Sequence, residues 1–222
     1  MAEATDRLIE RLAADAAPVR PLRPPALRAG LWLLAVAALA ALGIIAFSDL
    51  RLFAERARDP KLAVELAATL LTGVAAVVAA FHLSLPDRSR LWALVPLPML
   101  ALWIASSGYS CYRHWIAVGP EGWEIGESAH CFVFILSAGV PLGASLLLLL
   151  RRARPLSPLP VAALGGLGVA GIAAFLLQFF HPFDVTFMDL GVHLVAVALV
   201  VGAMSLLGKL PPRRAAARLS GL

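Results

Sequence analysis

An all-α, six-helix transmembrane bundle, with a short amphipathic helix ahead of it, is the fold class this chain predicts. Three observations predict it. Apolar runs of about 18 residues or more recur six times, the length that crosses ~30 Å of hydrocarbon. Charged residues are only 15% of the 222, against about 25% in an average soluble protein, and mean hydropathy is +0.84. The basic residues gather on the connections that an even number of spans places on one side.

Residues 1–28 form a polar, charged tail. Within it Thr5 to Val19 reads as a helix, because Leu8, Ile9, Leu12 and Ala13 share one stripe. Thr5 or Asp6 suits its N-cap. Pro18, Pro21, Pro24 and Pro25 end it, since proline lacks an amide donor and clashes with the preceding turn. The first 25 residues are charged or proline-rich, so no cleavable signal is expected. The membrane domain follows over 29–207, with spans at 29–47, 62–85, 91–109, 131–150, 156–180 and 190–207. Ser48 to Lys61 is a charged connection. Pro96 and Pro98 fall in the first turns of the third span, and Pro141 inside the fourth predicts a kink. Gly165 to Gly171 reads G-G-L-G-V-A-G, a surface small enough for close helix packing. A basic tail occupies 208–222.

Orientation follows from the cations. Six spans put both termini on one side. That side carries Arg7, Arg11, Arg20, Arg23, Arg28, Arg88, Arg90, Arg151, Arg152, Arg154, Lys209, Arg213, Arg214 and Arg218. Only Arg51, Arg56, Arg58, Lys61 and Arg113 lie on the other. The positive-inside rule therefore expects both termini in the cytoplasm. The sequence pI of 10.0 reflects this retention, and no direct nucleic-acid binding is expected from it. The first outer connection is the exception, its arginines being interleaved with Asp49, Glu55 and Asp59.

The longest polar island, Tyr109 to Cys131, thus faces outward. It holds both cysteines, Cys111 and Cys131. Consecutive spans are usually neighbours, which would bring the two sulfurs to one outer rim. A disulfide needs Cα atoms ~4.4–6.8 Å apart, a distance sequence does not supply. The two cysteines read equally as a redox or metal pair and as small apolar packing residues. The same rim gathers Cys111, His114, His130, Cys131, His181 and Asp184. Thiolate and imidazole suit zinc or copper, but no C-x-x-C or H-E-x-x-H spacing is present, and interfacial residues without a ligand are the plainer reading. No cofactor is required by any motif. Glu121, Glu124 and Glu127 with Trp123 read as a solvated interfacial face. His82 and His193 lie toward opposite ends of their spans, too far apart to share a haem.

Taken along nearly its whole length, the chain resembles the NrsF-like anti-sigma factors, negative regulators of SigF-type ECF sigma factors and six-span inner-membrane proteins. The resemblance is carried by L-I-E-R-L-A-A-D-A-A-P-V-R-P-L-R-P-P at Leu8 to Pro25 and by Cys131, followed by a proline-containing helix and R-R-A-R-P at Arg151 to Pro155. The family's second signature cysteine falls at the end of the fifth span. Here that place reads Q-F-F-H-P-F-D, so His181 stands there; Cys111 as partner, or a Cys/His metal sensor, are the substitutes this leaves. The resemblance implies a regulator, not an enzyme, whose cytoplasmic tail holds an ECF sigma factor away from RNA polymerase. It further implies release on oxidant or heavy-metal stress, sensed by Cys131, His181 and Cys111. Physically, Leu8, Ile9 and Leu12, with Val19 and Leu22, suit a groove on a partner. Arg7, Arg11, Arg20 and Arg23 suit its acidic contacts. The same helix could instead lie on the inner leaflet of the lipid bilayer.

Two other function classes remain to be weighed. A quinone-linked thiol–disulfide oxidoreductase would want a C-x-x-C pair, which is absent. A small transporter would want ionisable groups near the midplane, whereas Glu65, Asp189 and the histidines lie toward span ends. The identity of the signal, the oligomeric state and the route across the membrane are not written in the residues.

Overall fold

The computed structural model describes residues 2–16, 21–119, 125–180 and 187–210, and every regular element among them is helical. Helix α1 spans Ala2–Ala14. It begins before Thr5, so Thr5 and Asp6 lie inside its first turns and do not cap it. It also stops short of Val19. Glu3 sits in its first turn and Arg11 in its last, each favourable against the helix dipole. The exposed Arg7–Glu3 ion pair adds little to this.

Helix α2 covers Pro25–Phe47, four residues longer at its start than hydropathy suggests. Pro25 opens it, where a missing amide costs nothing because first-turn amides have no intrahelical partner. The connection after α2 holds an element that hydropathy does not reveal, helix α3, Leu50–Arg56. Asp49 caps it, accepting from the amides of Arg51 and Leu52 at 3.0 and 3.1 Å. Asp59 caps α4, Pro60–Leu83, accepting from the Lys61 amide at 2.9 Å. Two of the acids that interrupt the charge pattern of this connection are therefore helix caps.

A 3₁₀ turn at Arg90–Leu94 leads into α5, Leu97–Val118, with Pro98 in its first positions. α5 continues nine residues past Tyr109 and stops at Gly119, whose φ of 78° lies in the left-handed region that favours glycine. Much of the polar island is thus helical, not loop. α6 runs Ile125–Arg151 with Pro141 inside it, so His130 and Cys131 are helical too. α7 is Pro158–Leu177 and α8 is Phe187–Lys209. Six of these helical segments are long and apolar enough to cross a membrane.

Helices α4 and α7 form the centre. α4 packs on α7, α7 on α8, and α6 on both α7 and α8. α5 lies against α4 and α8, and α2 lies against α4. Lipid tails are as apolar as leucine, so burial does not drive these contacts; close packing does, and it needs small residues. Gly171 meets the Gly73 Cα across the α4–α7 crossing, where an added Cβ would stand 3.0 Å away. A Cβ on Gly168 would fall 2.6 Å from Val77. On the other side of α7, one on Gly166 would come within 2.8 Å of the Val201 Cα in α8. Gly139 and Gly143 of α6 similarly face Val200 and Met204. The G-G-L-G-V-A-G stretch therefore lets α7 touch α4 and α8 at backbone distance.

At the end where α2 begins and α6 finishes, the contacts become polar. Arg28 Nη2 donates to the Leu149 carbonyl at 2.7 Å, and its guanidinium lies 5.1 Å from the Phe81 ring centre. Trp32 Nε1 donates to Ser145 Oγ at 3.1 Å. Arg151 donates to the Leu207 carbonyl and, at 3.4 Å, to that of Leu210. Guanidinium groups on the last carbonyls of a helix satisfy acceptors that have no amide and oppose the negative dipole end. Trp32→Phe should lower stability in detergent only slightly, by about 1 kcal/mol, because Ser145 Oγ keeps its own bond to the Leu142 carbonyl at 2.8 Å. A loss of several kcal/mol in a denaturation series would show that this contact carries more than one neutral hydrogen bond.

Candidate functional site

The residues of interest lie at two ends of the bundle. At the end of the bundle where α5 finishes and α6 begins, Cys111 on α5 and Cys131 on α6 are both completely buried. Both are thiols, not halves of a disulfide. Cys131 packs with Ile135 of its own helix, Ala173 and Leu177 of α7, and Ala196 of α8. Among the described residues, α5 packs mainly on α4 and α8, and α6 on α7 and α8. The small faces of α7 and the Gly139–Gly143 face of α6 draw α8 close, and α8 contacts both cysteine-bearing helices.

His114 stands one turn beyond Cys111 and is half-buried, while His130 is exposed beside the buried Cys131. That contrast is what a 100° step per residue produces. Among the described residues no three His, Cys, Asp or Glu side chains gather closely enough to hold a metal ion. His181 and Asp184 lie outside the described residues, as do the side chains of Glu121, Glu124 and Glu127.

One polar arrangement at this end was not legible beforehand. Glu65 on α4 is only 6% exposed, and Ser107 Oγ of α5 donates to its carboxylate at 2.7 Å. Asp189 at the start of α8 is also buried, and its backbone carbonyl pairs with His193 Nδ1 at 2.7 Å. Glu65, Ser107 and His193 line one cavity between α4, α5, α7 and α8. The available signal was the presence of single polar residues in otherwise apolar spans. What sequence could not show was that three helices turn them to the same place.

At the opposite end, α1 has no extensive packing against another helix among the described residues. Its apolar stripe is uncovered: Leu8 is 56% exposed, Ile9 57% and Leu12 63%. Arg7 and Arg11 are exposed on the same short helix, and Leu22 and Arg23 are exposed in the extended segment before α2. Val19 and Arg20 lie outside the described residues. A soluble face of three adjacent large aliphatic side chains is uncommon unless something covers it.

These features define a class: a multi-pass helical membrane protein that carries a short, uncovered amphipathic helix at one end of its bundle. The family model for the negative regulator of sigma F, NrsF, matches residues 12–213. The chain belongs to that family. A sigma factor is accordingly its partner, and negative regulation of that factor is its role. The match begins inside the Leu8 to Pro25 stretch, at residue 12, and continues through all six long helices. No curated protein and no solved structure matches the chain.

Proposed function

We propose that this chain is an inner-membrane anti-sigma factor that sequesters an ECF-type sigma factor on its cytoplasmic N-terminal tail and releases it when stress acts on the outer rim. The observation that carries this reading is the exposed Leu8–Ile9–Leu12 stripe on a helix with no extensive packing against the other described helices. An amphipathic helix of that kind is the form in which one protein inserts into a groove of another. Arg7, Arg11, Arg20 and Arg23 then meet acidic groups on the partner, with Val19 and Leu22 extending the apolar contact. Four acids, Glu3, Asp6, Glu10 and Asp15, accompany two arginines between Glu3 and Asp15. That balance favours a protein partner over an anionic lipid surface, which attracts cations. The concentration of arginines at the end where α2 begins supports a cytoplasmic position for both termini.

Cys131, with Cys111 and His181, forms the sensing end in this reading, for an oxidant or a heavy metal such as zinc or copper. Helix α6 joins the two ends. Cys131 lies near its outer end, and Ser145 and Leu149 further along accept from Trp32 and Arg28 of α2. About 21 Å of helix separates Cys131 from Ser145 at 1.5 Å per residue. A shift of α6 at the rim would therefore be felt at the start of α2, directly after the tail. No reaction is assigned to the chain. The thiol–disulfide oxidoreductase alternative is disfavoured by the absence of a C-x-x-C pair.

The full-length protein, purified from membranes of unstressed cells, should bring the sigma factor with it. Exposure of the cells to oxidant or metal before lysis should empty it, and Cys131→Ser should alter that release. A sigma factor retained equally before and after stress would contradict the sensing part. Its absence from both preparations would contradict sequestration. Because both thiols are fully buried, a membrane-impermeant maleimide should label neither in the resting protein and should reach Cys131 only once the rim has opened. Rapid labelling at rest would contradict a closed resting rim.

A further inference from the structure

The cavity between α4, α5, α7 and α8 has no part in the sigma-factor reading. It is a small cavity of about 80 Å³, open on one side. Its walls are unequal. Ile104 and Leu194 line it and are 53% and 54% exposed on the outside of the bundle, so one side faces the acyl chains. Trp103 contributes a broad aromatic wall. Glu65, Ser107 and His193 provide polar groups within it.

Those polar groups have a defined sense. A carbonyl only accepts, so His193 Nδ1 carries the proton that it shares with the Asp189 carbonyl. In that tautomer Nε2 is the acceptor nitrogen of the ring. Ser107 occupies one position on the Glu65 carboxylate, which offers about four lone-pair sites. The cavity therefore presents acceptors, set among apolar and aromatic walls and reached from the lipid. Ser107 therefore meets only part of the acceptor capacity of this buried group. Among the described residues no third ligand joins Glu65 and His193 to hold a metal ion. A neutral, lipid-soluble molecule with hydroxyl donors on a flat ring matches every wall.

We propose that this cavity is a binding site for a hydroquinone-class lipid, held by hydroxyl groups donating to Glu65 and His193 with its ring against Trp103. The step is binding alone, with no electron transfer. It goes beyond the anti-sigma reading and does not depend on it.

The test uses the full chain in lipid nanodiscs with radiolabelled decylubiquinol under anaerobic conditions, compared with empty nanodiscs. Saturable retention above the empty control is expected. The oxidised quinone has acceptors only and should bind at least tenfold more weakly. Glu65→Leu should lower affinity tenfold or more, and His193→Leu severalfold. Ile104→Trp, at a lipid-facing position that tolerates bulk, should obstruct the mouth and reduce binding, and it serves if Glu65→Leu fails to fold. Retention equal to empty nanodiscs overturns the proposal. So does equal affinity for the oxidised and reduced forms, or undiminished binding in folded Ile104→Trp. Sigma-factor capture measured on the same nanodiscs reports separately on the anti-sigma reading.

Discussion

Replacing Leu8 and Leu12 together by aspartate should leave the protein in the membrane and free the sigma factor. Both side chains are more than half exposed on α1, so nothing in the bundle loses a packing partner. The six long helices hold the protein in place without α1. The partner loses two leucines that would be buried in its groove, each worth about 1.5–3 kcal/mol. At about 1.4 kcal/mol per decade, capture should weaken roughly a hundredfold or more. Transcription from a promoter that depends on this sigma factor should rise to the level seen without the regulator. The weak helix propensity of aspartate, under about 1 kcal/mol per residue, is too small to account for such a loss. Leu8→Ala with Leu12→Ala, which keeps the helix, should still weaken capture strongly. Unchanged repression in the aspartate variant, at equal protein levels, would remove the stripe from the mechanism.

The second large effect belongs to the bundle. Gly166→Leu should prevent α7 and α8 from meeting. Even the first carbon of the new side chain would lie 2.8 Å from the Val201 Cα, and backbone cannot move aside as a side chain can. Overpacking of a well-packed site costs about 1–3 kcal/mol, and here a full leucine must fit where no Cβ does. The variant should accumulate poorly or unfold well below the parent protein in a detergent thermal scan. Gly202→Leu on α8 is the matched control, since a Cβ there meets nothing within 4 Å. A Gly166→Leu protein as stable as this control would show that the α7–α8 crossing is looser than the geometry states.

The fold class was largely open to view in the residues because bilayer thickness fixes span length and leaves little freedom. Helix limits were less open. Polar residues at the ends of spans read as connection by hydropathy but continue as helix, as in Tyr109 to Val118 of α5. α3 escaped notice because a seven-residue helix has too few turns to show a period. Its cap, Asp49, shows in the sequence only as one of the acids interleaved with arginines. The apolar stripe of α1 was legible from spacing alone. Which helices pack closely was not, since that depends on where glycines permit contact across the bundle. For the same reason Glu65, Ser107 and His193 could be seen singly but not as one group.

The central claim is that α1 is occupied by a sigma factor in the resting cell. A photo-crosslinking residue in place of Ile9, in the full-length protein in its own membrane, tests it most directly. Ile9 lies in the middle of the exposed stripe. Illumination of unstressed cells should give an adduct whose mass and peptides are those of the sigma factor, and oxidant or metal exposure should diminish it. Adducts to lipid alone, in cells where repression is intact, would contradict the account.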